Sequence, residues 1–260
     1  MPLSIATPSS ICDAILQAGA IDIAVQPIRR IRHPSGVAGP WVEVLARPQG
    51  IGIVNLIDHC ARVGRAGELD LMVFERGLRW LAHHPEIELC SFNLSGQTVT
   101  NEGLDRVILD LLDRYEVLPT RICVEITETT PIGDFSRARA LTTRMRDRGA
   151  RVAVDDFGAG ASHMRLLTPL QIDFIKIDGE FVRELPLESN RKLIRGVVAM
   201  AQELGVETVA EAVETREQAE NLFEAGVHYI QGFFDGGQPV PATLNGHRVE
   251  RHLASMSQGY

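Results

Sequence analysis

Two adjacent aspartates follow a short apolar stretch in the segment VAVDDFGAG, which spans residues 152–160. Asp155 and Asp156 repel each other when both are ionised, and partial burial strengthens that repulsion. Divalent cations relieve it, because neighbouring carboxylates can bridge a pair of metal ions about 4 Å apart. Such a pair clamps the attacking and leaving oxygens of a displacement at phosphorus. The two aspartates therefore indicate metal-assisted chemistry on a phosphate ester.

Polar groups of the same kind recur at the ends of other short apolar stretches. They are Glu43, Asn93, Glu125 with Glu128 just after it, Lys176 with Asp178, Glu211 with Glu214, and Gln231. A single acidic residue in such a place could be a helix N-cap, but seven consecutive stretches carry a polar group. Carboxylate and amide oxygens suit Mg²⁺, Mn²⁺ or Ca²⁺, and no His or Cys joins the set. The pattern predicts a site for hard cations.

Two other interpretations of the 152–160 region have weaker support. The DFG at 156–158 matches the metal motif of protein kinases, but the sequence has no H-R-D loop and no Gly-rich lid with its strand lysine. The GAGAS at 158–162 resembles a dinucleotide-binding loop, but the third glycine is missing and no acidic partner follows at the required distance.

The elements that must position these residues alternate between strands and helices. Apolar stretches predict strands at 21–28, 41–47, 88–95, 121–127, 151–156, 172–178, 206–214 and 228–234. Helical patterns between them cover 70–84, 104–115, 135–149, 191–205 and 216–226. Such alternation predicts an α/β fold, a (β/α)₈ TIM-like barrel in which catalytic groups project from the carboxyl ends of the strands. We expect one domain over residues 1–260, with a leading helix within 1–20.

One connection departs from that alternation. Residues 29–40 contain two Pro and two Gly, which makes a poor helix and a short parallel crossover. A hairpin is the simpler solution, so we expect the first strand to run antiparallel to the second.

Composition narrows the classes of function. Of 260 residues 45% are hydrophobic and only 5% aromatic, and the formal net charge is −8. An acidic chain lacks the basic footprint of a duplex-binding protein. The four cysteines form no C-x-x-C pair and no stretch reaches the length of a transmembrane helix. We therefore expect a cytoplasmic protein with no membrane segment and no nucleic-acid duplex as partner.

Eight ordered motifs resemble those of the EAL domain of bacterial cyclic di-GMP phosphodiesterases. The name motif is present as Glu43-Val44-Leu45, followed by Arg47. The others are QPI (26–28), NLS (93–95), EITE (125–128), DDFG (155–158), KID (176–178), AEAVE (210–214) and QG (231–232). The resemblance covers about residues 18–245 and implies a (β/α)₈ barrel with an antiparallel first strand, in agreement with the hairpin expected above.

The resemblance implies hydrolysis of cyclic di-GMP to linear pGpG with two Mg²⁺ or Mn²⁺ ions, and inhibition by Ca²⁺. It implies metal ligation by Glu43, Asn93, Glu125, Asp155 and Asp156. It implies catalytic roles for Lys176 on the attacking water or the developing charge, for Glu211 and Gln231 on the water shell of the metals, and for Glu128 in anchoring a loop. It implies substrate binding by Arg47, Gln26 and Leu45, and allows a homodimer.

Three departures from the family pattern bear on activity. Ala159 and Ala161 stand where the family usually has Thr and Tyr, in a loop tied to metal binding and dimerisation, and Ala212 replaces a usual Gly. The alternative function is a catalytically silent EAL module that binds cyclic di-GMP or a protein partner. Silent members typically lose metal ligands, whereas every matched ligand is present here, so the sequence favours the enzyme.

Overall fold

The barrel is closed by hydrogen bonds around its whole circumference. The computed structural model describes residues 8–31, 39–127, 132–158, 167 and 170–242. Within them the strands are β1 (Ile21–Arg30), β2 (Trp41–Pro48), β3 (Leu89–Ser95), β4 (Ile122–Thr127), β5 (Arg151–Phe157), β6 (Phe174–Ile177), β7 (Glu207–Ala210), β8 (Tyr229–Gln231) and β9 (Val240–Pro241). Strands β2 to β8 follow one another in chain order, and β1 pairs with both β8 and β2. The predicted eight-stranded barrel is confirmed, with β9 as a short addition beside β1.

The first strand runs against its neighbours, as the hairpin argument predicts. Strand β1 pairs antiparallel with β2 from Ile21 opposite Pro48 to Ile28 opposite Trp41. It also pairs antiparallel with β8, whereas β2 to β8 are mutually parallel. The amino end of β1 therefore lies at the same mouth of the barrel as the carboxyl ends of the other seven strands.

Helices cover the outside of the barrel, and each predicted helical segment overlaps one of them. Their bounds are α1 (Pro8–Ala18), α2 (Ile53–Val63), α3 (Ala66–Leu81), α4 (Leu104–Arg114), α5 (Phe135–Asp147), α6 (Gly179–Arg183), α7 (Glu188–Leu204) and α8 (Arg216–Ala225). No helix among the described residues is both long and apolar enough to cross a bilayer.

Some boundaries differ from the sequence-based expectation. Helices α2 and α6 were not predicted, because both lie in segments that the strand–helix alternation left as connections. Helix α2 buries Leu56, His59 and Cys60 on one face, so packing supports it. Strand β7 ends at Ala210 and not at Glu214, because the backbone turns left-handed at Ala212 with φ of 52°.

An apolar layer forms a floor inside the barrel, below its carboxyl-end mouth. Its members are one buried side chain from each barrel strand, namely Ile28, Trp41, Leu89, Cys123, Ala153, Phe174, Val209 and Tyr229. The Trp41 ring lies 4.6 Å from Phe174 and 5.1 Å from Tyr229, measured between ring centroids. This layer excludes water from one side of whatever lies above it.

Candidate active site

The polar residues of the site form the next layer of the barrel interior. Side chains two residues apart on a strand share a face, so each floor residue has a polar partner two positions nearer the mouth. These partners are Gln26, Glu43, Ser91, Glu125, Asp155, Lys176, Glu211 and Gln231. Seven of them are sequence-predicted or resemblance-implied site residues. Ser91 is the exception, and it accepts a hydrogen bond from Trp41 Nε1 at 2.9 Å.

Lys176 lies at the centre of this layer. Its Nζ is 2.6 Å from Glu125 Oε2, 2.7 Å from Glu211 Oε1, 2.9 Å from Asp155 Oδ1 and 3.2 Å from Glu43 Oε2. The side chain is 1% exposed. One buried ammonium therefore joins carboxylates from four different strands or strand ends.

Glu43 connects the lysine to the amide side chains. Asn93 Nδ2 donates to Glu43 Oε1 at 2.7 Å, and Gln231 Nε2 donates to Glu43 Oε2 at 2.6 Å. Gln231 Nε2 also lies 3.3 Å from Gln26 Oε1, and Gln26 Nε2 donates to the Gly237 carbonyl. The amide nitrogens are thus used inside the protein, which fixes the orientation of the amide oxygens.

A β-bulge places both adjacent aspartates at the mouth. Strand β5 carries two residues between Val154 and Phe157, where β6 has only Lys176 between the matching partners Ile175 and Ile177. Asp156 takes a left-handed backbone with φ of 53°. Successive side chains of a regular strand point to opposite faces. The extra residue of the bulge breaks that alternation, so Asp155 and Asp156 both line the same cavity.

Burial and charge shift the proton affinities of the cluster in different directions. Burial raises the pKa of Glu125, the Lys176 ammonium lowers it, and Glu43 and Asp155 raise it again, leaving it at about 8. Burial also dominates at Glu211, whose pKa lies well above its usual range. At Glu43 burial is outweighed by Lys176 and by hydrogen bonds from Gln231 and Asn93, so its pKa is lowered.

Lys176 keeps its proton in spite of its surroundings. Burial lowers the pKa of an ammonium group, but Asp155, Glu125, Glu211 and Glu43 together raise the pKa of Lys176 well above its ordinary value. The lysine is therefore a fixed positive charge in the metal-free site.

Several buried side-chain oxygens at the barrel mouth have no hydrogen-bond donor among the described residues. They are Asn93 Oδ1, Glu125 Oε1 and Gln231 Oε1. Ligand oxygens of Asp155, Asp156 and Glu211 can also lie within 4.8 Å of one another. An unpaired buried oxygen is costly unless something binds it, and a set of carboxylate and amide oxygens suits a hard divalent cation. The site therefore fits metal ions on its own geometry.

Two cavities open beside the cluster. One of about 570 Å³ is lined by Gln26, Glu43, Asp156, Glu211 and Gln231, with Phe233 at its edge. A second, of about 300 Å³, extends between β2 and helices α2 and α3 and is mostly apolar.

The residues implied to bind substrate lie along these cavities. Arg47 is exposed at the end of β2 on the second cavity, with Nη1 donating to the Ala46 carbonyl. Leu45 lines both cavities, and Gln26 lines the first.

Not every predicted site residue falls within the described ranges. Glu128 lies outside them, as do Ala159 and Ala161 of the loop after β5. Sequence reasoning did not single out Asp70, which lines the second cavity together with Asn93. It is one acidic residue in a helical segment, so no strand-end pattern marks it.

Comparisons with known proteins agree with the geometry. The EAL domain model matches residues 10–236. The probable cyclic di-GMP phosphodiesterase PdeA of Escherichia coli (strain K12) is 32% identical over 234 residues, which are 87% of this chain and 31% of PdeA. The chain thus spans under a third of that relative.

Solved structures share the same fold. The FimX EAL domain from Pseudomonas aeruginosa bound to c-di-GMP superposes with a TM-score of 0.81 at 24% identity, over 92% of this chain and 98% of that one. The PaMucR phosphodiesterase in complex with c-di-GMP gives a TM-score of 0.77 at 26% identity, over 88% and 96%. With the family model matching most of its length, this chain belongs to the EAL domain family.

Proposed function

We propose that this chain hydrolyses cyclic di-GMP to linear pGpG with two bound Mg²⁺ or Mn²⁺ ions. The observation that carries the proposal is the set of unpaired oxygens of Asn93 and Glu125 inside a ring of carboxylates at the barrel mouth. The similarity to PdeA, a probable cyclic di-GMP phosphodiesterase, and to the PaMucR phosphodiesterase supports the choice of reaction. The FimX and PaMucR complexes with c-di-GMP support the choice of substrate.

The donor set would serve two ions. Glu43, Asn93, Glu125 and Asp155 would hold the first ion and Asp155 and Asp156 the second, while Glu211 and Gln231 would hold water beside them. Bound cations of this kind supply Lewis acidity at the phosphate and lower the pKa of water. Burial above the apolar floor keeps the local dielectric low, which strengthens these interactions.

Lys176 contributes a positive charge that does not depend on the ions. The four carboxylate contacts hold its ammonium in a fixed position at the base of the site. A preorganised charge of this kind stabilises negative charge that develops on the phosphate oxygens or the attacking water, without reorganisation during the reaction.

The substrate residues act at the rim. The Arg47 guanidinium is exposed beside the second cavity and can pair with a phosphate oxygen in a charge-assisted hydrogen bond. Leu45 and Gln26 shape the wall on which the rest of the substrate lies. Glu128 stays predicted to anchor the loop after β5.

A direct assay separates the enzyme from a silent receptor. The purified chain is incubated with cyclic di-GMP and Mg²⁺, and the products are resolved by chromatography. We expect pGpG with Mg²⁺ or Mn²⁺ and none with EDTA or Asn93→Ala. Asn221→Ala is the matched control, because Asn221 lies on the outer helix α8 and donates to the Glu217 carbonyl. If the chain bound cyclic di-GMP tightly but formed no pGpG with any of these metals, the proposed hydrolysis would be wrong and the receptor function would stand.

We also propose a cytoplasmic location and a homodimer. All four cysteines are buried and unpaired, which is typical of a reducing compartment. Analytical ultracentrifugation with and without Mg²⁺ tests the dimer, and a strictly monomeric profile in both would contradict it.

A further inference from the structure

Asp70 joins helix α3 to the strand end that carries a proposed metal ligand. Its Oδ2 accepts a hydrogen bond from the Ser95 backbone N–H at 2.8 Å and another from Thr98 Oγ1 at 2.5 Å. Ser95 is the last residue of β3 and lies two residues beyond Asn93. The carboxylate thus satisfies an amide that the sheet leaves open at the point where the strand ends.

A small network makes this link rigid. Ser95 Oγ lies 2.8 Å from Thr98 Oγ1, and the Thr98 N–H donates to Ser95 Oγ at 3.3 Å. Helix α3 approaches this turn closely, because a Cβ on Gly67 would lie 2.7 Å from Asn101 Nδ2. The helix, the strand end and the short 3₁₀ helix Thr98–Thr100 are therefore held as one unit.

Asn93 needs such support more than the carboxylate ligands do. Its Nδ2 is fixed by Glu43, and its Oδ1 has no donor among the described residues. Lys176 holds Glu125 and Asp155 from the interior, but among the described residues it forms no hydrogen bond with Asn93. The hydrogen bond to Glu43 sets the rotation of the Asn93 amide, whereas the end of β3 sets where the Asn93 backbone lies.

We propose that Asp70 is a positioning residue that sets Asn93 Oδ1 for cation binding through the end of β3. The inference rests on the proposed function, since it assumes that Asn93 is a metal ligand. Partners of metal ligands typically contribute about 10–100-fold to metal affinity. In this role Asp70 acts through Ser95 and Thr98 and is not itself one of the proposed cation ligands.

The test measures Mn²⁺ affinity by titration calorimetry and protection of the Ser95 amide by hydrogen exchange in EDTA. We expect Asp70→Ala to weaken Mn²⁺ binding about tenfold or more and to lose protection at Ser95, and Asp70→Asn, which keeps an acceptor oxygen, to retain most of both. The matched control is Glu75→Ala on the same helix, because Glu75 accepts a hydrogen bond from Tyr115 and not from β3.

A double mutant tests the route of the effect. If Asp70 acts through Asn93, Asp70→Ala should add little to the loss caused by Asn93→Ala. Thr98→Val removes the second donor to the same oxygen and carries the test if Asp70→Ala does not fold, and we expect it to weaken Mn²⁺ binding less than Asp70→Ala does.

The outcomes are distinguishable. Three outcomes would overturn the role of Asp70 without touching the proposed function. They are an unchanged Mn²⁺ affinity in Asp70→Ala or in Thr98→Val, an equal loss of affinity in Glu75→Ala, and full additivity of Asp70→Ala with Asn93→Ala. Absence of Mn²⁺ binding by the unmodified chain would overturn the proposed function, and this inference with it. Hydrogen exchange at Ser95 reports on the link in either case.

Discussion

Lys176 balances a cluster whose charges would otherwise repel one another. Five carboxylates converge on the barrel mouth, and four of them contact this one ammonium. In the sequence the same five carboxylates predict strong repulsion without metal. The structure shows that the lysine, together with protonation favoured by the raised pKa of Glu125 and Glu211, offsets part of it.

Replacing Lys176 therefore tests stability and catalysis together. We expect Lys176→Met to lower the free energy of unfolding in EDTA by about 3–5 kcal/mol, because buried carboxylates lose their counter-charge. Turnover should fall about 100-fold or more, and Mg²⁺ should recover part of the stability but not the turnover. Denaturant unfolding and pGpG assays measure both, with the exposed Lys192→Met as control. An unchanged unfolding curve in EDTA would contradict the central role of the ammonium.

The raised pKa of Glu125 predicts that the stability of the metal-free protein depends on pH. Its pKa is about 8 in the folded chain and about 4.3 in an unfolded one. The folded state therefore binds more protons between these values, and stability falls as pH rises through that range. Above about pH 8 the ionisation of Glu125 causes no further change in the free energy of unfolding.

Glu125→Gln tests this pH dependence, because glutamine does not titrate and has nearly the same shape as glutamate. In EDTA we expect it to melt above the unmodified chain at about pH 8 and close to it at about pH 5. Some pH dependence should remain, because the pKa of Glu211 is raised as well. Glu217→Gln on the exposed face of α8 is the control. If the melting temperature of the unmodified chain in EDTA rose between pH 5 and pH 8, this account would be contradicted.

At the scale of elements, the start of α6 and the end of β7 fit together through two small residues. A Cβ on Gly179 would lie 2.5 Å from the Cβ of Ala212. Ala212 has a left-handed backbone, which costs a non-glycine residue about 1–2 kcal/mol. Gly179 provides the space for the methyl group of Ala212. Glu211, next to Ala212, therefore depends on this contact for its position.

A double-mutant cycle measures that contact. Gly179→Ala should destabilise the chain by about 1–3 kcal/mol through overpacking and reduce turnover by displacing Glu211. Adding Ala212→Gly should restore most of both, because it removes the methyl group and the strain. The control is Gly196→Ala in α7, where a Cβ meets no neighbour, and it should be neutral or slightly stabilising. Additive effects of the two changes, in denaturant unfolding, would rule out a direct contact.

At the scale of the whole molecule, cation binding and barrel stability are linked. The proposed ligands come from β2, β3, β4 and β5, so the site exists only when the barrel is closed. A ligand that binds only the folded state stabilises it, by about 2.7 kcal/mol at a hundred times its Kd. Mg²⁺, Mn²⁺ and Ca²⁺ should all share this effect, whereas turnover should not follow with Ca²⁺, whose larger and looser shell fits a two-ion geometry poorly.

Thermal melts check this link. Saturating Mg²⁺ should raise the melting temperature by about 5–10 °C for a chain of this size. The shift should be much smaller in Asn93→Ala and unchanged in Asn221→Ala. A shift of equal size in all three proteins would mean that the cation binds elsewhere.

The barrel architecture, and which polar residues meet at its mouth, could be predicted from the sequence. Period-two alternation within each strand places an apolar residue in the floor and a polar residue two positions further on, as in Trp41 and Glu43 or Phe174 and Lys176. That pattern is local, so it can be seen along the chain. The Pro- and Gly-rich connection after β1 likewise predicted the antiparallel first strand.

The way in which those residues meet could not be predicted, because it depends on the packing of distant elements. Lys176 and Glu43 are separated by 133 positions and become neighbours through barrel closure. The bulge in β5 comes from its pairing with β6, and it turns Asp155 and Asp156 to one side. Asp70 reaches Ser95 because α3 packs against the end of β3. Each of these contacts depends on distances between elements far apart in the chain, which no local pattern of residues encodes.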